Sequence, residues 1–410
     1  MFRLNIIDLF AGAGGLSEGF RRAGFNIVAH VEMNKRASTT LQTREFYYYL
    51  LEENKLDLYK RYLMNKITRE ELMSNIPQEI LDKVICEEIS ENTINVIFEE
   101  IDKLKGQKDI QLVIGGPPCQ SFSVAGRARN KLKVEEDPRT YLYKYYIKFL
   151  ERYKPKVFVF ENVKGILSAA NGKIFKQIKY EMLIHGYELD YKLLNAKDFG
   201  VIQSRERVIL IGWRRDINFS YPELNIKNQR WTIDDLFYDL PFLRAGEKVE
   251  DFKYKHESNT CLKELKIRNE WSILTQHEAR PHREIDLEIY RLCVDTWNRE
   301  GIKLRYNELP RRLITHRNTM SFLDRFNIVP YNDISHTIVA HISKDGHYYI
   351  HPDIKQNRSI SVREAARIQS FPDDYYFEGG RTAAFRQIGN AVPPLMAEKI
   401  AWKIKEALNS

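Results

Sequence analysis

Short apolar runs, each stopped by glycine or a polar string, alternate with longer amphipathic stretches through the first third of this chain. Leu4–Leu9 predicts a strand that ends in a glycine-rich turn, and Leu16–Ala23 predicts a helix. Asn26–Val31 predicts a second strand, and Leu112–Ile114 and Val157–Phe160 are further apolar runs. Continuous apolar strands that alternate with helices specify a parallel sheet covered on both faces. The expected fold class is α/β, a doubly wound, mostly parallel sheet.

The rhythm breaks twice. A polar stretch rich in Lys, Glu, Leu and Tyr between Arg44 and Val84 reads as an inserted helical pair, placed at 44–85. From about Tyr221 to Ile354 the strand–helix alternation is lost, which marks a smaller second domain. Ser361 and Glu364 then form a capping box whose helix should stop before Pro372. A last helix should begin at Pro393, with Met396, Ile400 and Ile404 on one face. The division expected is 1–220 for the first domain with its insert, 221–378 for the second, and 379–410 returning to the first.

The chain has 410 residues, long enough for two domains, with 43% hydrophobic and 29% charged residues, as in an ordinary globular protein. Its net charge is +8, which suits a polyanionic partner without requiring one. Cys86, Cys119, Cys261 and Cys293 include no CxxC pair, so neither a disulfide framework nor a zinc ribbon is expected. The opening residues run straight into a strand with no signal-peptide pattern, and no stretch has transmembrane length. A cytoplasmic protein is expected.

Four strings carry candidate chemistry, Gly115–Gln120, Glu161–Val163, Gln203–Arg207 and Gln387–Pro394, beside a candidate cofactor loop. Asp8-Leu9-Phe10-Ala11-Gly12-Ala13-Gly14-Gly15 ends a strand and opens a helix, where glycines permit close backbone approach to a ligand. Glu32 closes the next strand, placed to accept hydrogen bonds from ribose hydroxyls. This pairing suits NAD or an adenosyl cofactor; Ser17 stands where a dinucleotide site would have its third glycine.

Cys119 follows the strand 112–114 in Gly115-Gly116-Pro117-Pro118-Cys119-Gln120. Two prolines fix φ and make a stiff pedestal for a thiol. Most cysteines are small buried hydrophobes, and Cys86, Cys261 and Cys293 are assigned so. Arg127, Arg129, Lys131 and Lys133 follow and put positive charge beside the proposed nucleophile. Glu161 ends the strand 157–160 at the same sheet edge, where burial would raise its pKa and let it donate a proton. Gln203, Arg205 and Arg207 alternate ahead of Val208–Ile211, so an extended backbone turns all three to one face. Two guanidiniums there could hold a base edge or a phosphate.

With these strings in place the chain resembles the DNA cytosine-5 methyltransferases of bacterial and phage type. The resemblance rests on Asp8–Gly15, Pro117–Ser123, Glu161–Val163, Gln203–Arg207, Arg363–Asp373 and Gly389–Pro394, in the family's order. It spans nearly the whole chain apart from the insert and the second domain. It implies a Rossmann-like methyltransferase fold using S-adenosyl-L-methionine, giving S-adenosyl-L-homocysteine and needing no metal. Asp8, Phe10, Gly12, Gly14, Glu32, Met33, Pro118, Leu142, Asn390 and Val392 are the implied cofactor neighbours. Where the family has Gly-Asp-Ile this chain has Glu87-Glu88-Ile89, so Glu88 takes the adenine-binding position.

The resemblance also implies a mechanism: Cys119 adds to carbon 6 of a flipped-out cytosine, Glu161 serves ring nitrogen 3, and Arg205 holds the base. Gln120, Ser123, Arg127, Gln203 and Arg207 are expected along the DNA. The second domain occupies the position of a target-recognition domain. Its basic cluster of Arg299, Lys303, Arg305, Arg311, Arg312, Arg317 and Arg325 supplies phosphate contacts, with Arg311, Arg312 and Arg317 singled out. His277, His282 and His316 are not expected to bind zinc. The expected partner is duplex DNA, the enzyme a monomer functionally paired with a restriction endonuclease and associated with the nucleoid. An RNA methyltransferase of the same fold, a catalytically silent DNA-binding relative and a nicotinamide oxidoreductase are the competing expectations.

Overall fold

The computed structural model describes residues 4–118, 136–224, 230–315 and 317–409. Cys119, Gln120, Ser123, Arg127 and His316 lie outside the described residues. Seven strands form one sheet: β1 (Asn5–Leu9), β2 (Asn26–Val31), β3 (Val84–Ile85), β4 (Leu112–Gly115), β5 (Val157–Asn162), β6 (Tyr187–Asn195) and β7 (Glu206–Arg214). Their order is β3-β2-β1-β4-β5-β7-β6. The first five strands are parallel, and β7 runs antiparallel between β5 and β6. The strand expectations for 4–9, 26–31, 112–114 and 157–160 agree with β1, β2, β4 and β5 to within two residues at each end.

Alternate residues of each strand serve opposite faces, as the pleat requires. Ile6, Ile27, Ile114, Val159, Ile209 and Ile211 join one core with α1 (Gly15–Arg22) and helices Val362–Ile368, Gly380–Asn390 and Pro394–Asn409. Ile7, Val28, Val113, Phe158, Val208 and Leu210 join the other, with helices Ile94–Lys105, Tyr143–Tyr153 and Lys173–Ile184. The result is a three-layer sandwich, the doubly wound architecture expected. The antiparallel β7 has one positional consequence. Its first residues lie at the edge where β5 ends, with Val208 opposite Asn162 and Ile209 opposite Glu161.

The inserted stretch differs from the expected helical pair. Helix α2 (Lys35–Glu52) begins well before Arg44, capped by the Asn34 side chain, and segments 56–63, 69–73 and 78–81 follow it. Ser38, Thr39, Thr40 and Thr43 disguise its first half in the sequence, because hydroxyl residues are poor interior helix formers. In the fold their hydroxyls bond back along the helix, as Thr39 Oγ1 does to the Lys35 carbonyl at 2.7 Å. The insert has its own small core around Phe46, Leu50, Tyr59 and Leu72. It docks through Arg44 Nη1 on Asp374 Oδ1 (2.8 Å) and Tyr62 Oη on Glu378 Oε1 (2.7 Å).

The stretch 221–378 divides by packing. Residues such as Ile233, Leu262, Ile338 and Phe371 belong to the core beneath the sheet, whereas Ile289, Tyr290, Leu309, Phe326 and Ile328 build a separate small core. The capping box at Ser361 and Glu364 is formed, and its helix ends before Pro372. In the last helix Met396, Ile400 and Ile404 are fully buried, as their spacing predicts.

That last helix crosses α1 at Gly19, where a Cβ would collide with the Ala397 side chain and the Glu398 backbone. Gly19→Ala should gain about 1 kcal/mol of helix propensity and lose about 1–3 kcal/mol to overpacking. A lowered thermal unfolding midpoint is the expected outcome, read by calorimetry.

Candidate active site

Five segments meet at one edge of the sheet: the ends of β1, β2, β4 and β5, and the start of β7. At the β4 end, Gly115 and Gly116 lead into Pro117 and Pro118, the last described residue before Cys119. The Asn162 side chain, buried at the end of β5, donates to the Pro117 carbonyl at 3.1 Å. That bond fixes the proline pedestal to the strand carrying Glu161. A Cβ on Gly116 would lie 2.6 Å from Glu161 Oε2, so the carboxylate is pressed against the loop that leads to the cysteine. A glycine is required there for close approach.

The Glu161 side chain is 14% exposed and forms an ion pair with Arg207, Nε to Oε1 at 2.9 Å. Burial raises the carboxyl above its ordinary value, and the Arg207 and Arg205 guanidiniums pull against that rise without cancelling it. The outcome is a carboxyl poised to hold or release a proton.

Arg205 has a different immediate setting from the one anticipated. Its side chain is fully buried, with Nη1 donating to the Ile338 carbonyl (2.6 Å) and Nη2 to those of Gly389 (3.1 Å) and Ala391 (2.9 Å). It joins the start of β7 to the C-terminal end of helix 380–390 and the residue after it, where the sequence suggests a Gly-Asn turn. Gln203 is likewise fully buried, donating to Gln369 Oε1 at 2.5 Å and accepting from the Ile338 N–H at 2.7 Å. Of the alternating trio, Arg207 is the one ion-paired with the carboxylate. Arg311, Arg312 and Arg317 are exposed on the small unit, with Arg312 Nη1 bonded to Glu288 Oε2 at 2.7 Å.

The glycine-rich loop closes on itself through Glu32. The two carboxylate oxygens accept from the N–H groups of Gly12 (2.8 Å) and Asn34 (2.7 Å), while burial raises the carboxyl's pKa. Phe10, Gly12 and Gly14 all have positive φ. A Cβ at Gly12 would meet no atom within 4 Å, so the loop borders open space there, as a cofactor seat must. Met33 and Glu88 are exposed, Glu88 just beyond the end of β3, and Asn390 is exposed at the end of its helix. The Val392 carbonyl lies where a Gly15 Cβ would stand, which brings the segment after helix 380–390 onto the loop. Leu142 is half-buried at the head of helix 143–153.

Asp8, anticipated as a cofactor residue, is buried and turned to His30, Oδ2 to Nδ1 at 3.1 Å. His30 Nε2 lies 3.2 Å from Glu45 Oε1 of α2. Burial disfavours the imidazolium, yet bonds to the two carboxylates raise its pKa overall. This Asp8–His30–Glu45 chain escaped notice because the residues are scattered through β1, β2 and the insert. In the second region, the buried His277 bonds Ser361 Oγ at 2.9 Å and the half-buried His282 bonds Ser359 Oγ at 2.9 Å. Burial pushes both down to about 4.

A family model described as C-5 cytosine-specific DNA methylase matches residues 4–46 and 73–406. The chain belongs to the C-5 cytosine-specific DNA methylase family. It is a DNA cytosine-5 methyltransferase. The unmatched residues 47–72 fall inside the helical insert. The type II methyltransferase M.Bpa9945I of Bacillus paralicheniformis is 42% identical over 98% of this chain and 99% of its own length. M.DdeI of Desulfomicrobium norvegicum, also a type II methyltransferase, is 32% identical over 98% and 88%. A DNA modification methyltransferase encoded within an Escherichia coli prophage shares the fold at a TM-score of 0.64 and 24% identity, covering 99% of this chain and 100% of that one.

The imidazole supplies a pH test. Its raised pKa means that the stability it contributes is full below the ordinary value of 6.5 and is lost as pH rises through the folded value. His30→Asn should therefore flatten the fall of unfolding free energy above neutrality, measured by urea denaturation across pH.

Proposed function

We propose that this enzyme transfers a methyl group from S-adenosyl-L-methionine to carbon 5 of cytosine in duplex DNA, through a covalent bond from Cys119 to a flipped-out base. The observation that carries the reading is the buried Glu161 carboxylate, pressed on Gly116 and ion-paired to Arg207 beside the proline pedestal.

The cofactor supplies an electrophilic methyl group on a sulfonium. Glu32, Gly12, Phe10, Glu88, Asn390 and Val392 would hold it, with the Glu32 carboxylate accepting from the ribose hydroxyls and backbone N–H groups bordering the open space at Gly12. Carbon 5 of cytosine is too weak a nucleophile to take that methyl group unaided. The Cys119 thiolate adds to carbon 6, and Glu161 gives its proton to ring nitrogen 3, so electron density moves to carbon 5. After methylation, water takes the carbon 5 proton as the carbon 6–sulfur bond breaks and the thiolate leaves, and nitrogen 3 returns its proton to Glu161. A stacked base cannot meet these groups, so it must leave the duplex. Arg207 orients the carboxylate, while Arg205 acts as a positioning residue that locks the C-terminal end of helix 380–390 to the start of β7.

The small unit around residues 285–328 reads the DNA, with Arg311, Arg312 and Arg317 on phosphates or bases and Gln120, Ser123 and Arg127 beside the target. The enzyme acts as a monomer in the cytoplasm, within a restriction–modification pair. Duplex DNA is favoured over RNA because the chain carries a sizeable basic unit with its own core in addition to the domain built on the sheet.

Duplex containing 5-fluorocytosine should trap a covalent adduct with wild-type protein and cofactor, and none with Cys119→Ser. Burial pushes the Cys261 and Cys293 thiols up to about 12, so neither should compete for the adduct. Glu161→Gln should slow methyl transfer by about 10²–10⁴ with little loss of thermal stability, since burial already disfavours the charged carboxylate. An adduct that survives in Cys119→Ser, or an undiminished rate in Glu161→Gln, overturns the mechanism.

A further inference from the structure

The small unit carries a feature that phosphate binding does not explain. Met320 is 88% exposed and Phe322 is 75% exposed, the two most exposed large apolar side chains among the described residues. Phe322 also has φ of 53°, in the left-handed region that a bulky side chain enters only under constraint.

The constraint is visible. Asn318 Oδ1 accepts from the N–H groups of Met320 (3.0 Å) and Ser321 (3.1 Å). Arg325 closes the turn from below, with Nε donating to the Phe322 carbonyl at 3.0 Å and Nη2 to those of Asn318 (3.1 Å) and Ser321 (3.2 Å). Its guanidinium sits 3.7 Å over the centroid of the buried Tyr306 ring, which stacks on Phe326 in the small core. A half-buried arginine thus anchors a stiff turn that holds two apolar side chains out in water.

The surroundings select the partner. Seven basic and three acidic residues lie between 299 and 325, a local excess out of proportion to a whole-chain net of +8. Arg311, Arg312 and Arg317 are all exposed there. Apolar points carried on a basic stretch of chain suit stacked bases between phosphates better than a purely hydrophobic surface.

We propose that Met320 and Phe322 form a wedge that enters a base step of the duplex next to the target cytosine. Wedges of Phe and Met partly unstack the step they enter. Here that would lower the cost of extruding the base, and the fixed turn would lose little freedom on insertion. This inference rests on the duplex-DNA reading above and adds to it the residues that deform the duplex.

The test uses the full-length enzyme. Bisulfite sequencing of duplex methylated by wild-type protein gives the site, and 2-aminopurine is then placed at the steps flanking the target. Wild-type binding should raise its fluorescence at one step. The double variant Met320→Ala, Phe322→Ala should abolish that rise and weaken binding about tenfold to a hundredfold. Because no charge is removed, the slope of log affinity against log salt should stay unchanged, whereas Arg317→Ala should reduce that slope by about one. Both side chains are exposed, so the unfolding midpoint should not move. Wild-type affinity and fluorescence in the double variant overturn the wedge and leave the duplex reading intact. Loss of self-association in sedimentation with unchanged DNA binding also overturns it, by making the turn a contact between copies. A wild-type protein that methylates no duplex removes both inferences.

Discussion

A carboxylate cannot be buried at a sheet edge without compensation, and the arrangement of this site follows from how Glu161 is accommodated. The antiparallel entry of β7 beside β5 brings Arg207 across to it, an ion pair that a wholly parallel sheet would not deliver from that neighbour. The carboxyl's affinity for protons is raised rather than lowered, because desolvation outweighs the Arg207 and Arg205 guanidiniums at this degree of burial. Gly116 and Asn162 then complete the shell, one by having no side chain and the other by gripping the Pro117 carbonyl. The geometry of this edge is therefore a consequence of topology first and of side-chain identity second.

Much of this was legible in the sequence because each chemical string ends a strand. Apolar runs stopped by Asp-Leu-Phe-Ala-Gly, Gly-Gly-Pro-Pro-Cys and Glu-Asn-Val declare both the strand and the edge at which its ligand side lies. The capping box and the Met396, Ile400, Ile404 stripe were legible for the same local reason. Period and cap chemistry need only a few neighbours. Residues separated by long stretches of chain were not legible. Alternation placed Gln203, Arg205 and Arg207 on one face but could not say which would be covered by 335–338 and 389–391. Asp8 reads as a ligand residue until His30 and Glu45 are folded against it.

The insert shows the limit of propensity. Its first helix carries Ser and Thr through two turns and is stabilised by packing rather than by intrinsic preference. Arg44, Tyr62 and Arg69 reach Glu18, Asp374 and Glu378, so the insert braces the outer side of α1 and the approach to helix 380–390. The family match passes over its middle, residues 47–72, so the insert's own core stands largely outside the matched frame.

The close crossing of α1 by the last helix bears on how the molecule is made. Gly15 is fitted to the Val392 carbonyl and Gly19 to Ala397, although most of the polypeptide separates the two partners. The loop that begins at Phe10 therefore stays unfinished on a nascent chain until the segment past Asn390 has left the ribosome and docked. Contacts of such long sequence separation form slowly and late. A prematurely ended product would leave Gly15 without the Val392 carbonyl and Gly19 without Ala397, and one face of the sheet without the helix that covers it.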